Sequence, residues 1–151
     1  MVLMIAAVML GMLFLINPLR RNGFYMLHML IVIAVAWYIE NNYFSGKTLP
    51  DFIAGWRSVA LMFLALHLIS INLVTFFAYG VDKNAAQRGN RRIPEAQLHT
   101  LEVMGGWCGA ILGQNIFHHK TKKQSYQSFF WAMLVVEAII VYAILKYMKF
   151  I

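Results

Sequence analysis

Three side chains that can hold a proton or a metal ion recur at helical spacing near the middle of the chain: Glu95, His99 and Glu102. Residues spaced by four and then three positions lie on one face of an α-helix, so the two carboxylates and the imidazole are expected side by side. Groups of these types one turn apart can share a metal ion or a proton. Glu95 also has a simpler use, since a carboxylate is favourable in the first turn of a helix that Pro94 begins. Metal ligation by the three residues is therefore one hypothesis of two, and the pattern identifies no cofactor.

Glycines continue this face toward the C-terminus. Gly106, Gly109 and Gly113 follow Glu102 at spacings of four, three and four residues, and Gly105 precedes the first of them. Small residues at such spacings let the backbone of a second helix approach closely. We expect these four glycines to form a helix-packing surface, on the same continuous helix as the ionisable residues.

Two polar and basic stretches flank the glycine-rich segment, "YGVDKNAAQRGNRRIPE" at 79–95 and "HHKTKKQ" at 118–124. A basic side chain near a membrane surface gains about 1 kcal/mol from anionic lipids. The residues predicted to bind lipid headgroups or a partner are Asp82, Lys83, Arg88, Arg91, Arg92, Lys120 and Lys123.

The same part of the chain holds groups that are able to catalyse a reaction. Glu95, His99 and His119 are the candidate acids, bases or metal ligands. The sequence contains no HExxH, EF-hand, Walker A or Rossmann motif, and no serine or cysteine lies in a recognisable nucleophile elbow. Whether the protein is an enzyme stays open, and the lack of common catalytic motifs favours a protein that is not one.

The composition is typical of a membrane protein. Hydrophobic residues make up 61% of the 151 residues and charged residues only 13%. Several apolar runs approach the roughly 20 residues that cross about 30 Å of hydrocarbon as a helix. The 13 Lys and Arg against 6 Asp and Glu fit basic loops at the cytoplasmic face better than they fit nucleic-acid binding. We therefore predict an all-α integral membrane protein that crosses the cell inner membrane several times.

Four conventional transmembrane helices are predicted, at about residues 2–16, 24–39, 59–79 and 129–148. The glycine-rich segment at 98–117 is either a fifth span or a re-entrant helix, and its length favours a span. The count of Lys and Arg is nine inside against four outside for a re-entrant segment and eight against five for a span, which does not decide between them. One compact membrane domain is expected, with a two-helix hairpin and an exposed loop at 1–58 and the motif-bearing part at 59–151.

Four motifs in order, "YGVDKNAA", "RRIPEAQLH", "GGWCGAILG" and "HHKTKKQSY", resemble a bacterial membrane-protein family known as domain of unknown function 1294. The resemblance covers about residues 68–147, so the two predicted helices within 1–39 are additional to it. Some relatives carry a cold-shock-type module that is associated with nucleic acids. This chain has no such β-rich region, so no nucleic-acid partner is expected. The family name implies no activity.

Three functions are consistent with these observations. The favoured one is a non-enzymatic membrane protein that binds anionic lipid headgroups or a partner through its basic motifs. The second is a small membrane-embedded enzyme acting on a lipid or polyprenyl substrate, methyltransferase-like or metal-assisted, with Glu95, His99 or His119 in the reaction. The third is an oligomeric transporter or channel. Membrane lipids are the expected partners, together with a second copy of the chain or another membrane protein.

Overall fold

The computed structural model describes residues 22–43, 46 and 55–147, and these form helices joined by short loops, with no strand among them. The elements are α1 (Gly23–Tyr43), α2 (Trp56–Gln87), α3 (Glu95–Leu101), a π-turn (Glu102–Gly106), α4 (Trp107–Phe117) and α5 (Gln124–Tyr147). The prediction of an all-α protein is confirmed for this part of the chain. The predicted helix at 2–16 lies outside the described residues.

Three of the described helices are long and apolar enough to cross a membrane: Gly23–Tyr43, Leu61–Gln87 and Gln124–Ala143. Their surfaces carry large apolar side chains, such as Leu30, Ile69 and Ile139, each more than 60% exposed. Apolar faces of this size are unfavourable in water and suit the hydrocarbon of a bilayer. The finding supports a membrane protein, with three candidate spans where the sequence predicts four.

The chain divides into two compact units between Val74 and Thr75, inside α2. In the first unit, fully buried Ala36 of α1 packs with Met62, Phe63 and Leu66 of α2. The domain division expected at 58/59 stays a prediction.

A buried polar contact accompanies this packing. The His28 ring donates to or accepts from Ser70 Oγ at 2.9 Å through Nδ1, and its Nε2 lies 3.1 Å from His67 Nδ1. Hydrogen bonds of this kind join helices inside membranes, where an unpaired polar group is costly. They tie α1 to the first part of α2.

The glycine-rich segment in the second unit is broken rather than straight. Gly105 has φ 96° and ψ 8°, inside a single π-turn that separates the seven residues of α3 from the eleven of α4. Glycine populates this left-handed region readily because it has no Cβ atom. The prediction of one continuous helical face from Glu95 to Gly113 is therefore wrong.

The two halves of the segment form a hairpin whose ends meet at one residue of α2. The backbone N–H of Ile93, just before α3, donates to Asp82 Oδ1 at 2.9 Å. His119, just after α4, places Nε2 at 2.8 Å from Asp82 Oδ2. A straight helix of 20 residues would hold its ends about 30 Å apart.

The depth of the hairpin follows from its contacts with α2. A Cβ atom on Gly106, at the bend, would overlap Thr75, and one on Gly113 would lie 2.7 Å from Tyr79 Cβ. Thr75 and Asp82 are separated by about 10 Å along α2 at 1.5 Å per residue. The segment thus runs roughly 10 Å along α2, turns at Gly105, and returns. Close contacts at Gly106 and Gly113 are of the kind that the glycine pattern predicts.

Gly105→Ala is expected to destabilise the protein by about 1–2 kcal/mol, because an L side chain is strained in the left-handed conformation. Gly23→Ala is the matched control, since no atom lies within 4 Å of the added Cβ and the backbone there is ordinary. Thermal unfolding of both variants in detergent, followed by circular dichroism, makes the comparison. A Gly105→Ala protein as stable as the control would contradict the bend.

Candidate functional site

A buried carboxylate from α2 gathers side chains from both ends of the hairpin. Asp82 is fully buried, and its Oδ2 contacts His119 Nε2 at 2.8 Å, Lys120 Nζ at 3.3 Å and an Arg92 guanidinium nitrogen at 3.4 Å. Its Oδ1 accepts the Ile93 N–H. We call Asp82, Arg92, Ile93, His119 and Lys120 the Asp82 cluster. A buried carboxylate is tolerated only when paired and hydrogen-bonded in this way.

Lys120 carries a buried positive charge into the cluster. Its side chain is only 3% exposed, and Nζ lies 3.3 Å from Asp82, 3.7 Å from Glu95 Oε1 and 4.7 Å from the centre of the Tyr126 ring. Although these contacts are attractive, Nζ makes no hydrogen bond of good geometry. The ammonium is therefore held by charge and by the aromatic face.

The loop after α4 adopts backbone angles that are uncommon for its residues. His118 has φ 45° and Lys120 has φ 61°, and the His118 N–H caps α4 at the Gln114 carbonyl. Left-handed conformations cost non-glycine residues roughly 1–2 kcal/mol each. His119 and Lys120 of this loop both contact Asp82, which holds the loop in this conformation.

A more exposed ion pair lies beside the cluster. Lys123 Nζ donates to both carboxylate oxygens of Glu95, at 2.8 and 2.9 Å. The hydrogen bond from Lys123 lowers the pKa of Glu95 below its usual range. The pair joins the start of α3 to the residue before α5.

A second buried carboxylate lies deeper in the hairpin. Glu102 is 3% exposed, and its Oε1 accepts from the Tyr79 and Tyr126 hydroxyls at 2.5 and 2.6 Å. His99 Nδ1 contacts Oε2 at 2.7 Å, and Gln114 donates to the Tyr79 hydroxyl at 3.2 Å. We call Tyr79, His99, Glu102, Gln114 and Tyr126 the Glu102 network. It satisfies a carboxylate that would otherwise be costly to bury.

The network and the cluster are joined through Gln127 of α5. Its Nε2 donates to Gln114 Oε1 at 2.6 Å and to the Lys120 carbonyl at 3.1 Å. Lys120 also lies over the ring of Tyr126, which belongs to the network. The two buried carboxylates are thus supported by one connected set of contacts.

An open pocket of about 610 Å3 is lined by Arg92, Glu95 and the loop residues 118–123. Four cations line it, namely Arg92, Lys120, Lys122 and Lys123. They face the carboxylate of Glu95 in the lining and that of Asp82 behind Lys120, which leaves a surplus of two positive charges with histidines neutral. We call this the basic pocket, and its charge suits an anion.

The structure brings together four of the seven residues predicted to bind a lipid headgroup or a partner. Those that meet at the basic pocket or in the Asp82 cluster are Asp82, Arg92, Lys120 and Lys123. Lys83, Arg88 and Arg91 do not line the pocket, and both arginines are exposed. Of the catalytic candidates, Glu95 and His119 line the pocket and His99 lies in the Glu102 network. Their catalytic role stays a prediction.

The metal hypothesis for Glu95, His99 and Glu102 has no geometric support in the described part of the chain. No group of three or more His, Cys, Asp or Glu residues is placed there to hold a metal ion. Glu95 pairs with Lys123, whereas His99 and Glu102 contact each other. The shared spacing does bring His99 to Glu102, but Glu95 is instead held by Lys123, so the three residues do not form a common site.

Sequence reasoning missed the tyrosines and amides of the Glu102 network and the pocket residue Lys122. Tyrosines are common at the level of the headgroups, and no local pattern distinguishes a buried tyrosine from one there. The sequence feature that could have indicated this network is Glu102 itself, because a carboxylate in an apolar segment requires hydrogen-bonding partners.

Asp82→Asn is expected to destabilise the protein by about 3–5 kcal/mol, since it leaves the buried Lys120 ammonium without its main counter-charge. Lys120→Met removes that ammonium, so the double variant should be more stable than Asp82→Asn alone. Thermal unfolding in detergent of Asp82→Asn, Lys120→Met and the double variant measures the loss of stability and its recovery. A double variant no more stable than Asp82→Asn would show that the pair is not coupled.

The similarity of this chain to known proteins covers the part that contains the Asp82 cluster and the Glu102 network. The family model described as "Protein of unknown function (DUF1294)" matches residues 72–126. The chain is also similar to "Uncharacterized protein YsdA" of Bacillus subtilis (strain 168), with 39% identity over 80 residues that make up 53% of this chain and 90% of the relative. No solved structure matches the chain. Since the similarity takes in nearly the whole relative and the family match contains Asp82, Arg92, Glu95 and His119, this chain belongs to the DUF1294 family.

Proposed function

We propose that this protein is a multi-pass protein of the cell inner membrane that binds the phosphate group of anionic lipids in the basic pocket. The observation that carries the proposal is the charge of the pocket, where Arg92, Lys120, Lys122 and Lys123 outnumber the carboxylates of Glu95 and Asp82 by two. A phosphate monoester carries about −1.5 to −2 charges at neutral pH and would neutralise this surplus. A neutral ligand would leave it uncompensated.

The position of the pocket along the helices supports a lipid headgroup as the ligand. The loop residues 118–123 come directly before the candidate span Gln124–Ala143. Asp82 lies five residues before the end of the candidate span Leu61–Gln87. Residues at the ends of spans lie at the level of the headgroups, where basic side chains meet anionic lipids.

Some side chains of the pocket are placed to contact the phosphate, and others support the loop that carries them. Arg92 has a half-exposed side chain, and Lys122 and Lys123 are exposed, so these three are able to contact a phosphate. Arginine and lysine are the usual phosphate-binding residues of proteins. Asp82 and Lys120 are buried beneath them and fix the shape of the loop. Lys83, Arg88 and Arg91 add a general attraction for an anionic surface.

The hairpin geometry supports a re-entrant segment at 98–117 rather than a fifth span. Because Ile93 and His119 both contact Asp82, the two ends of the segment lie on the same side of the bilayer if α2 crosses it. The roughly 10 Å depth is about a third of the hydrocarbon thickness. This topology places both polar stretches at one membrane face.

A topology reporter fused after Ile151 tests the re-entrant segment, with a control fusion in the loop near Lys47. A re-entrant segment leaves only α2 and α5 between the two fusion points, so both reporters should lie on the same side. Reporters on opposite sides would show that the segment spans, which would separate the two motifs and overturn the proposed pocket.

Removing the exposed cations of the pocket should weaken lipid binding. Lys122→Gln is expected to weaken the binding of dioctanoyl phosphatidic acid about fivefold, and Lys122→Gln with Lys123→Gln about 30-fold, because each charge contributes about 1 kcal/mol. The full chain in neutral detergent is titrated with the lipid, and native mass spectrometry gives the Kd.

Lys146→Gln is the control, since Lys146 is also exposed but lies at the far end of α5, outside the pocket lining. Its Kd should stay within about twofold of the wild type, because a distant exposed charge is screened. Equal losses in the Lys122 and Lys146 variants would reduce the effect to net charge and contradict the pocket. Inorganic phosphate is titrated in parallel, and binding as tight as that of the lipid would assign the pocket to the free ion instead.

A further inference from the structure

A second cleft, of about 390 Å3, adjoins the basic pocket and shares Thr121 with it. Ile111 and Asn115 of α4 form one wall, and Phe130 and Trp131 of α5 form the other. In contrast to the basic pocket, none of its lining residues is charged. We call it the amide cleft.

The amide cleft leads from headgroup level toward the hydrocarbon. Thr121 lies in the loop before α5, whereas Trp131 lies about 10 Å further along that helix at 1.5 Å per residue. The Trp131 side chain is 51% exposed, so this end of the cleft opens toward the lipid. A ligand that fills both cavities needs an anionic end, then an uncharged polar part, then hydrocarbon.

The amides at the base of the cleft are already engaged with each other. Gln127 donates to Gln114 and to the Lys120 carbonyl, and accepts from Trp131 Nε1 at 3.2 Å. Asn115 and Thr121 are instead exposed at the rim. Their amide and hydroxyl groups are able to donate hydrogen bonds to oxygens of a ligand.

We infer that the amide cleft binds the ester-linked glycerol part of a glycerophospholipid whose phosphate occupies the basic pocket. This inference rests on the proposed function and adds the class of lipid. Asn115 and Thr121 donate to the ester carbonyl oxygens, which in such a lipid lie just below the phosphate. A polyprenyl phosphate has only hydrocarbon at that position, so it would offer neither group an acceptor.

The test compares three phosphate-bearing probes on the full chain in neutral detergent: dioctanoyl phosphatidic acid, its dioctyl ether analogue without carbonyl groups, and farnesyl phosphate. The wild type should bind the ester probe about 5- to 10-fold more tightly than the ether probe, the range that one or two hydrogen bonds give. Asn115→Leu should reduce this preference by weakening the ester probe only, because one of the two proposed donors is lost. Asn84→Leu, at an exposed asparagine of α2 outside the cleft, should keep it.

Equal affinities of the ester and ether probes for the wild type would overturn the inference, as would tighter binding of farnesyl phosphate. In either case the proposed function stands if the Lys122 variants still weaken every phosphate-bearing probe. Dioctanoylglycerol, which has the esters without the phosphate, tests whether the phosphate contributes to binding at all. If it binds as tightly as dioctanoyl phosphatidic acid, the proposed function fails and the inference fails with it.

Discussion

The arrangement of the second unit depends on the burial of one carboxylate. Asp82 is fully buried near the end of a helix that is apolar enough to cross a membrane, and a lone buried charge would be strongly unfavourable. It is compensated by partners that come from two different stretches of chain, Arg92 with Ile93 and His119 with Lys120. Because all of them must reach the same two oxygens, the intervening residues have to leave α2 and come back to it.

The return path is possible because of small residues at its bend and along its arms. Gly105 provides the left-handed backbone of the bend, and Gly106 and Gly113 let α2 come within contact of the hairpin backbone. The same tight packing brings Tyr79 to Glu102, so that the second buried carboxylate receives its hydroxyl donors. Close packing and polar pairing therefore require each other, since a wider separation would leave Glu102 without Tyr79.

Much of the helical architecture could be predicted from the apolar runs. The predicted helix at 24–39 corresponds to Gly23–Tyr43, and Pro94 correctly marked the beginning of α3. The span predicted at 59–79 corresponds to the candidate span Leu61–Gln87, which is longer because α2 continues through the polar residues to Gln87. The bend was missed because glycines at helical spacing fit both a straight packing surface and a turn, and no local pattern shows which of them has positive φ.

The spacing of residues along the chain could not predict that the separate motifs contact one another. Asp82 and His119 are 37 residues apart, and only the hairpin brings them within 2.8 Å. Helical periodicity grouped Glu95 with Glu102, whereas the structure pairs Glu95 with Lys123 from the other side of the hairpin. Periodicity reports which residues share a face of one helix, but the partners that stabilise a buried charge come from the packing of several helices.

The Glu102 network also fixes an order in the biogenesis of the protein. Of the donors to this carboxylate, Tyr79 precedes the hairpin in the chain, whereas Tyr126 follows it, at the start of α5. When the hairpin has been synthesised, its carboxylate therefore still lacks one of its two hydroxyl donors, and a buried carboxylate without its partners is unfavourable. The full set of contacts of the hairpin is thus complete only after residues up to Tyr126 have been synthesised, and its assembly depends on both flanking helices.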